Sequence, residues 1–144
     1  MSEANKSLVR RLVEEAINKG NLSVVDEILA SGYVYREPTV GEKRGRAGYR
    51  ELVTMYRNAF PDLKLTIEEQ ITEGDKVVTR TNGTGTHRGE LVGTAPTGKH
   101  VSGVQGMFVT RIANGKVVEE TVIYDALGML RQLGVVPAAV AKAA

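Results

Sequence analysis

The first third of the chain repeats its apolar positions with a helical period. Residues on one face are Leu8, Leu12, Val13, Ala16 and Ile17. This spacing predicts an amphipathic helix over about 4–19. Lys19-Gly20 suits the end of that helix, and Asn21 can cap a second, shorter one that carries Leu22, Val25, Ile28 and Leu29.

The next segment predicts a strand and then a third helix. Residues 32–38 are rich in β-formers and end at Pro38, so a short strand is expected, followed by a polar loop up to Arg46. A third helix must stop before Pro61, because the residue ahead of a proline disfavours the helical region. Its apolar face is Tyr49, Leu52, Val53, Tyr56 and Ala59.

After Pro61 the hydrophobic period changes from the helical value to two. Leu63, Leu65 and Ile67 alternate with polar residues, and a turn at 73–75 leads into a strand over 76–86. A second pair of strands, 101–112 and 117–124, is joined at Asn114-Gly115, a dipeptide typical of tight hairpins. A short helix follows, and its spacing predicts that Leu127, Leu130 and Leu133 pack it against the core.

Helices first and antiparallel hairpins afterwards predict an α+β fold. N-terminal helices packed on a curved, mostly antiparallel sheet would form a cone-shaped half-barrel whose apolar interior is the natural ligand site. Glycines at 83, 85, 103 and 106 permit the bends. Strand residues are apolar on both faces at 104 and 107–109, so we expect a second subunit to cover the outer face and form a homodimer.

Length and composition indicate one globular domain over 1–144, with a flexible tail from about residue 136. The chain has 42% hydrophobic and 25% charged residues, which disfavours disorder. No cysteine is present, so disulfides, zinc–thiolate sites and a cysteine nucleophile are excluded. The first residues lack the apolar segment of a signal peptide, and no apolar run approaches the ~20 residues that span a bilayer. We therefore expect a cytoplasmic protein without a membrane partner.

Two charged or glycine-rich segments have other candidate functions. The basic cluster at 42–46 can bind a phosphate, but a net charge of +2 does not make the basic face that nucleic-acid binding requires. Residues 93–99 match the spacing of a phosphate-binding loop, yet His100 follows the lysine where serine or threonine is needed. We expect neither nucleic-acid nor nucleotide binding.

Candidate chemistry concentrates on a few polar residues of the strands. Asp125 lies where the last strand gives way to the terminal helix, so it can be a helix cap, a base in the cavity, or both. Alternation puts Thr121 and Ile123 on its face of the strand, and Glu120, Val122 and Tyr124 on the other. Arg80 and Asn82 share a parity that can point inward, and His87 ends its strand.

At this point the sequence resembles the SnoaL-like polyketide cyclases, or ester cyclases, of the nuclear transport factor 2-like superfamily that contains ketosteroid isomerase. The resemblance spans almost the whole chain in order. It is carried by residues 5–15, YRNAFPDL (56–63), GTHRGE (85–90), PTGK (96–99), NGKVVEE (114–120) and DALGMLRQLG (125–134).

The resemblance implies a cystatin-like cone that holds a hydrophobic substrate and closes a ring by intramolecular aldol condensation, without metal or cofactor. It implies Asp125 as the base. The family's assisting histidine has no counterpart, because residues 101–144 contain none. Charge on the enolate must then be stabilised by another group, and the candidates are Gln105, Arg80, Asn82, Tyr35 and His87.

We therefore predict Asp125, His87 and Gln105 as catalytic residues. The predicted substrate-binding residues are Tyr35, Glu37, Tyr56, Arg80, Asn82, Phe108, Thr121 and Ile123. Two other functions stay open on the same scaffold. One is a hydrolase or isomerase that opens an epoxide with Asp125, Tyr35 and Glu37, and the other is a non-catalytic carrier of apolar small molecules.

Overall fold

Four α-helices and one six-stranded sheet make up the computed structural model, which describes residues 2–136. The predicted α+β class is confirmed. The tail that we expect from about residue 136 lies, beyond that residue, outside the described part of the chain. Among residues 2–136 no helix combines the length and the apolar character needed to cross a bilayer.

The helices largely match the hydrophobic pattern. They are α1 (Ser2–Arg11), α2 (Val25–Ile28), α3 (Gly45–Ala59) and α4 (Ala126–Leu133). The first helix continues as a π-helical stretch, Leu12–Asn18, so the predicted helix forms with a wider second half. Asn21 accepts a hydrogen bond from Ser23 N at 3.3 Å and caps a 3₁₀ turn that leads into α2. Leu29, predicted in that helix, instead begins the first strand.

The sheet has the order β2-β1-β6-β5-β4-β3. Its strands are β1 (Leu29–Glu37), β2 (Gly41–Arg44), β3 (Lys64–Glu73), β4 (Lys76–Thr86), β5 (His100–Ala113) and β6 (Lys116–Tyr124). Only the β1–β6 pair is parallel. That pair joins the first strand to the last, so the two halves of the chain share one sheet.

One strand lies where the sequence predicts a loop. The four residues of β2 pair antiparallel with β1 at the edge of the sheet. Their sequence, GEKR, has no apolar alternation and therefore gave no strand signal. Charged side chains on a short edge strand discourage pairing with other molecules, which is consistent with this position.

The core lies between the helices and the inner face of the sheet. Val13 of the π-helical stretch, Tyr49 of α3 and Tyr33 of β1 are almost completely buried there. In the parallel pair, Tyr35 lies opposite Glu120. Side-chain alternation therefore places the inner residues of β1 on the same face as Glu120, Val122 and Tyr124 of β6.

A bend in β4 lets the sheet approach the end of α3. The register between β4 and β5 shifts between Gly83 and Gly85. A Cβ atom at Gly85 would lie 3.0 Å from the Cβ atom of Phe60, so only glycine fits without displacing that ring. The predicted bend at these glycines is therefore present, and a close contact explains it.

The packing of α4 differs from the prediction at one residue, Leu127. Leu127, which the helical spacing placed with Leu130 and Leu133 against the core, is 43% exposed. Met129 and Leu133 are buried instead. The helix begins at Ala126, and its inward face passes through residues four apart, 129 and 133.

The outer face of the sheet carries four exposed apolar side chains, Ile71, Met107, Val109 and Ile123. Met107 lies opposite Ile123, and Val109 lies opposite Val78, which itself pairs with Ile71. The four side chains therefore belong to neighbouring strands on one face. Coverage by a second subunit stays a prediction.

We expect the protein to form a dimer through this face at micromolar concentration. The double substitution M107D/I123D should release the monomer, because it would bury two carboxylates in an apolar interface. Small-angle scattering measures the mass directly. V92D is the matched control, since Val92 is as exposed as Met107 but lies in the loop before β5. A wild-type monomer would contradict the prediction.

Candidate active site

A cavity of about 160 Å³ lies between the helices and the inner face of the sheet. Most of its wall is apolar. The main apolar contributors are Leu12, Val53, Phe60, Val104, Phe108 and Met129. A concave apolar wall with few polar groups is typical of sites that bind hydrophobic small molecules.

The polar groups of the wall gather around the carboxylate of Glu37, which is 3% exposed. Oε1 accepts hydrogen bonds from the hydroxyl of Tyr35 at 3.0 Å and from that of Tyr56 at 2.9 Å. Oε2 accepts one from the backbone N–H of Thr39 at 2.9 Å. The buried carboxylate is thus held by three donors.

Local sequence explains how Glu37 reaches this position. Tyr35 and Glu37 are two residues apart on β1, so both side chains point to the inner face. Pro38 ends the strand, and the following turn returns the Thr39 N–H to the carboxylate. Tyr56 approaches from α3, across the cavity wall. The cluster therefore needs the helix and the strand together.

A third tyrosine, Tyr124, extends the cluster to the last strand. The hydroxyl oxygens of Tyr56 and Tyr124 are 3.1 Å apart, and their rings pack edge to face with centroids 6.2 Å apart. A tyrosine hydroxyl has one proton, and that of Tyr56 is donated to Glu37, so Tyr124 is the donor to Tyr56. Burial raises the pKa of all three tyrosines, which keeps their hydroxyls protonated.

A second buried carboxyl group in the cavity wall is that of Glu120. It accepts hydrogen bonds from the Tyr33 hydroxyl and from Thr110 Oγ1, each at 2.8 Å. Burial raises the pKa of Glu120, although the two hydrogen bonds act in the opposite direction. Its partners Tyr33 and Thr110 are completely buried, whereas Tyr56 and Tyr124 beside Glu37 are only half-buried.

Four of the predicted site residues line the cavity: Tyr35, Glu37, Tyr56 and Phe108. Glu120 and Tyr124 also line it but were not among the predicted residues. Sequence alternation did group these two on one face of β6. It did not show which face is the inner one, because each face carries apolar and acidic residues.

Four other predicted residues lie on the outer face of the sheet, which corrects their expected inward orientation. Thr121 and Ile123 are exposed, and Arg80 pairs with Glu69 at 3.2 Å. Asn82 shares the face of Arg80 and is half-buried. The inner residues of β4 are Val77, Thr79, Thr81, Gly83 and Gly85. Valine and threonine occur on both faces of that strand, so its alternation was ambiguous.

Gln105 and His87 also lie away from the cavity wall. The side chain of Gln105 is exposed. His87 is completely buried, and its ring packs against Phe60 with centroids 5.4 Å apart. Its Nδ1 accepts a hydrogen bond from Thr97 N at 3.2 Å, which anchors the loop before β5. These contacts indicate a structural role for His87.

Asp125 caps α4. Its Oδ1 accepts a hydrogen bond from Gly128 N at 2.9 Å, and the residue is exposed and absent from the cavity wall. Its backbone N–H also donates to the Gln105 carbonyl at 2.8 Å, which ties the start of α4 to β5. The structure thus shows Asp125 as a helix cap, whereas its role as a base stays a prediction from the resemblance.

The described residues contain no cluster of side chains that could bind a metal ion. Nowhere in 2–136 do three histidine, aspartate or glutamate side chains come together in a way that could hold an ion. The buried carboxylates are instead surrounded by hydroxyl donors. The arrangement therefore provides acid–base and hydrogen-bonding groups to a molecule in the cavity.

Comparison with known proteins identifies the family. The sequence profile of the SnoaL-like polyketide cyclases matches residues 7–133. The chain belongs to this family. Among curated proteins, a SnoaL-like relative is the aklanonic acid methyl ester cyclase DnrD of Streptomyces peucetius, which is 35% identical over 133 residues and 88% of each chain.

Solved structures of SnoaL-like proteins share the fold. A candidate SnoaL-like polyketide cyclase from Jannaschia sp. CCS1 superimposes with a TM-score of 0.85 at 25% identity, over 94% of both chains. AclR of Streptomyces galilaeus, described as a candidate hydroxylase, has a TM-score of 0.79 at 32% identity over 95% of this chain and 99% of its own. The expected cone-shaped architecture is therefore confirmed.

The cap at Asp125 can be tested by stability. We expect D125N to keep nearly the wild-type free energy of unfolding, because asparagine caps a helix about as well as aspartate. D125A should lose about 1 kcal/mol of unfolding free energy, since Gly128 N then lacks its partner. Denaturant unfolding measures both variants. Equal stability of D125A and wild type would contradict the cap.

The buried Glu120 predicts a pH dependence of stability. Its pKa is higher in the folded than in the unfolded chain, so between these values the folded state binds more protons and stability falls as pH rises. E120Q removes this titration, and both hydroxyl partners can accept a hydrogen bond from the new amide. We expect E120Q to lose less stability than wild type between pH 5 and pH 8 in thermal unfolding. Equal losses of stability in E120Q and wild type over this pH range would contradict the prediction.

Proposed function

We propose that this SnoaL-like protein closes a ring in a hydrophobic carbonyl compound by an intramolecular aldol-type reaction inside the cavity. This proposal rests on one observation, the contrast between a few polar groups and the apolar remainder of the cavity wall. A buried carboxylate with hydroxyl donors lies in otherwise apolar surroundings. Such surroundings exclude water and strengthen the interaction of polar groups with a reacting molecule.

The proposed reaction needs only proton transfers. A base removes a proton from the carbon next to a carbonyl group, and the C–H electron pair moves toward the carbonyl oxygen to form an enolate. The enolate carbon forms a bond to a second carbonyl carbon of the same molecule, whose π electrons move to its oxygen. That oxygen takes up the proton. All atoms are conserved, and nothing is oxidised or reduced.

The curated relatives support a substrate class. Two are aklanonic acid methyl ester cyclases at 35% identity, and their names state a ring closure on a methyl ester. An esterified substrate carries no carboxylate, which suits an apolar wall better than the free acid would. We therefore propose a neutral, esterified polyketide as the substrate of this chain.

One observation favours a second candidate function. The hydroxyl of Tyr35 and the carboxylate of Glu37 are 3.0 Å apart in the cavity wall, a pair that can hold and activate a water molecule. An epoxide-opening hydrolase would use such a pair. The non-catalytic carrier uses the same apolar wall and requires no proton transfer.

Incubation with aklanonic acid methyl ester, and in parallel with an aromatic epoxide such as styrene oxide, separates the three functions. The proposed reaction converts the ester into a product of unchanged mass but altered chromatographic retention, because ring closure conserves all atoms. An epoxide-opening hydrolase adds the mass of one water molecule to the epoxide and leaves the ester unclosed. A carrier returns both compounds unchanged after binding. Liquid chromatography with mass spectrometry reads all three outcomes, and heat-denatured protein is the control for spontaneous closure.

A further inference from the structure

We infer that Glu37 is the base that removes the substrate proton and that Tyr56 donates a hydrogen bond to the oxygen on which the negative charge develops. This inference rests on the proposed function. It assigns the two key roles to residues of β1 and α3, neither of which belongs to the last strand and helix where Asp125 lies.

The hydrogen bonds of Glu37 leave it one free site for a proton. A carboxylate offers about four lone-pair sites, two on each oxygen. Tyr35 and Tyr56 occupy both sites of Oε1, and Thr39 N occupies one site of Oε2. The remaining site on Oε2 can accept the substrate proton while the three existing donors hold the carboxylate in place.

Access separates Glu37 from the other carboxyl groups. Glu120 also lines the cavity, but the two residues from whose hydroxyl groups it accepts hydrogen bonds, Tyr33 and Thr110, are completely buried. Asp125 is exposed and engaged with the first turn of α4. Glu37 alone combines burial in the wall with half-buried neighbours, Tyr56 and Tyr124.

The donors of Glu37 can follow the charge as it moves. Before the reaction the negative charge is on the carboxylate, and Tyr56 donates to it. After proton transfer Glu37 is neutral and a weaker acceptor, whereas the enolate oxygen has become the stronger one. The Tyr56 hydroxyl then turns to that oxygen, which stabilises the intermediate. When the new alkoxide forms, Glu37 returns its proton to it.

Tyr124 is a positioning residue in this scheme. It donates to the Tyr56 hydroxyl and thereby fixes the proton of Tyr56 on the side of Glu37. Removal of this donor leaves the base in place but changes the hydrogen bonding of the group beside it. The consequence is a shift in the pH at which half of the activity is lost, in addition to a lower rate.

Exchange of carbon-bound protons tests the base without knowledge of the natural substrate. The probe is 2-tetralone, an aromatic ketone whose protons next to the carbonyl exchange with deuterium oxide. Proton NMR follows the loss of these signals and also measures binding of the probe. We expect wild type to accelerate exchange above the buffer rate, and E37Q to lower the rate at least about 100-fold with unchanged probe affinity.

Three further variants support the interpretation. E68Q replaces an exposed glutamate of β3 and is the matched control, with wild-type exchange expected. D125N tests the competing carboxylate and should also exchange at the wild-type rate. Should E37Q not fold, E37D keeps the charge but withdraws it by one methylene, and we expect it to lower exchange more than about 10-fold, on the scale at which misplaced groups lose rate.

The outcomes separate this inference from the proposed function. Equal exchange by wild type and E37Q, or by wild type and a folded E37D, overturns Glu37 as the base and leaves ring closure standing. Loss of exchange in D125N alone returns the base to Asp125. A bound probe that wild type does not exchange faster than buffer overturns both proposals.

The role of Tyr124 has its own readout. We expect Y124F to shift the midpoint of the pH–exchange profile, whereas a merely structural role would lower the rate at every pH by the same factor. Y56F removes the donor itself and should slow exchange about 10²-fold or more, as removal of one such donor does in other enzymes. Wild-type exchange by Y56F overturns the donor role of Tyr56.

Discussion

The parallel pairing of β1 with β6 determines the chemistry of the cavity. It places the inner face of the first strand beside the inner face of the last, so that Tyr35 lies opposite Glu120. Because side chains alternate along both strands, a shift of one residue in either strand would turn that strand's polar groups away from the cavity wall. The buried carboxylates and the tyrosines around them therefore depend on one register between segments more than 80 residues apart in sequence.

Burial gives these polar groups their chemical character. Glu37 and Glu120 are almost equally buried, yet their surroundings differ. Glu120 is enclosed by Tyr33 and Thr110. Its pKa is raised because burial destabilises the charged form of its carboxyl group in the folded protein. Glu37 has three donors and half-buried neighbours, so its charge is compensated and a molecule in the cavity can reach it. Two chemically identical side chains thus differ through their partners.

Two adjacent residues at the junction of β6 and α4 have different roles. Tyr124 faces the cavity and joins the tyrosine cluster, whereas the next residue, Asp125, faces solvent and caps the helix. The sequence resemblance predicts a base at this junction, whereas the polar groups of the cavity wall lie on β1, α3 and β6. The fold is similar to that of a candidate polyketide cyclase and of a candidate hydroxylase, so the fold alone does not determine the activity.

Periodicity along the sequence determined the helices, five of the six strands and the hairpin at Asn114-Gly115, and the resemblance carried by short motifs indicated the family. These features depend on local spacing and turn residues, which the chain carries in itself. The orientation of each strand required the tertiary structure. Apolar residues occur on both faces of β4 and β6, so only the packing of the helices on one face of the sheet decided that Tyr124 points inward and Arg80 outward. The short charged strand β2 likewise forms because β1 offers it a partner.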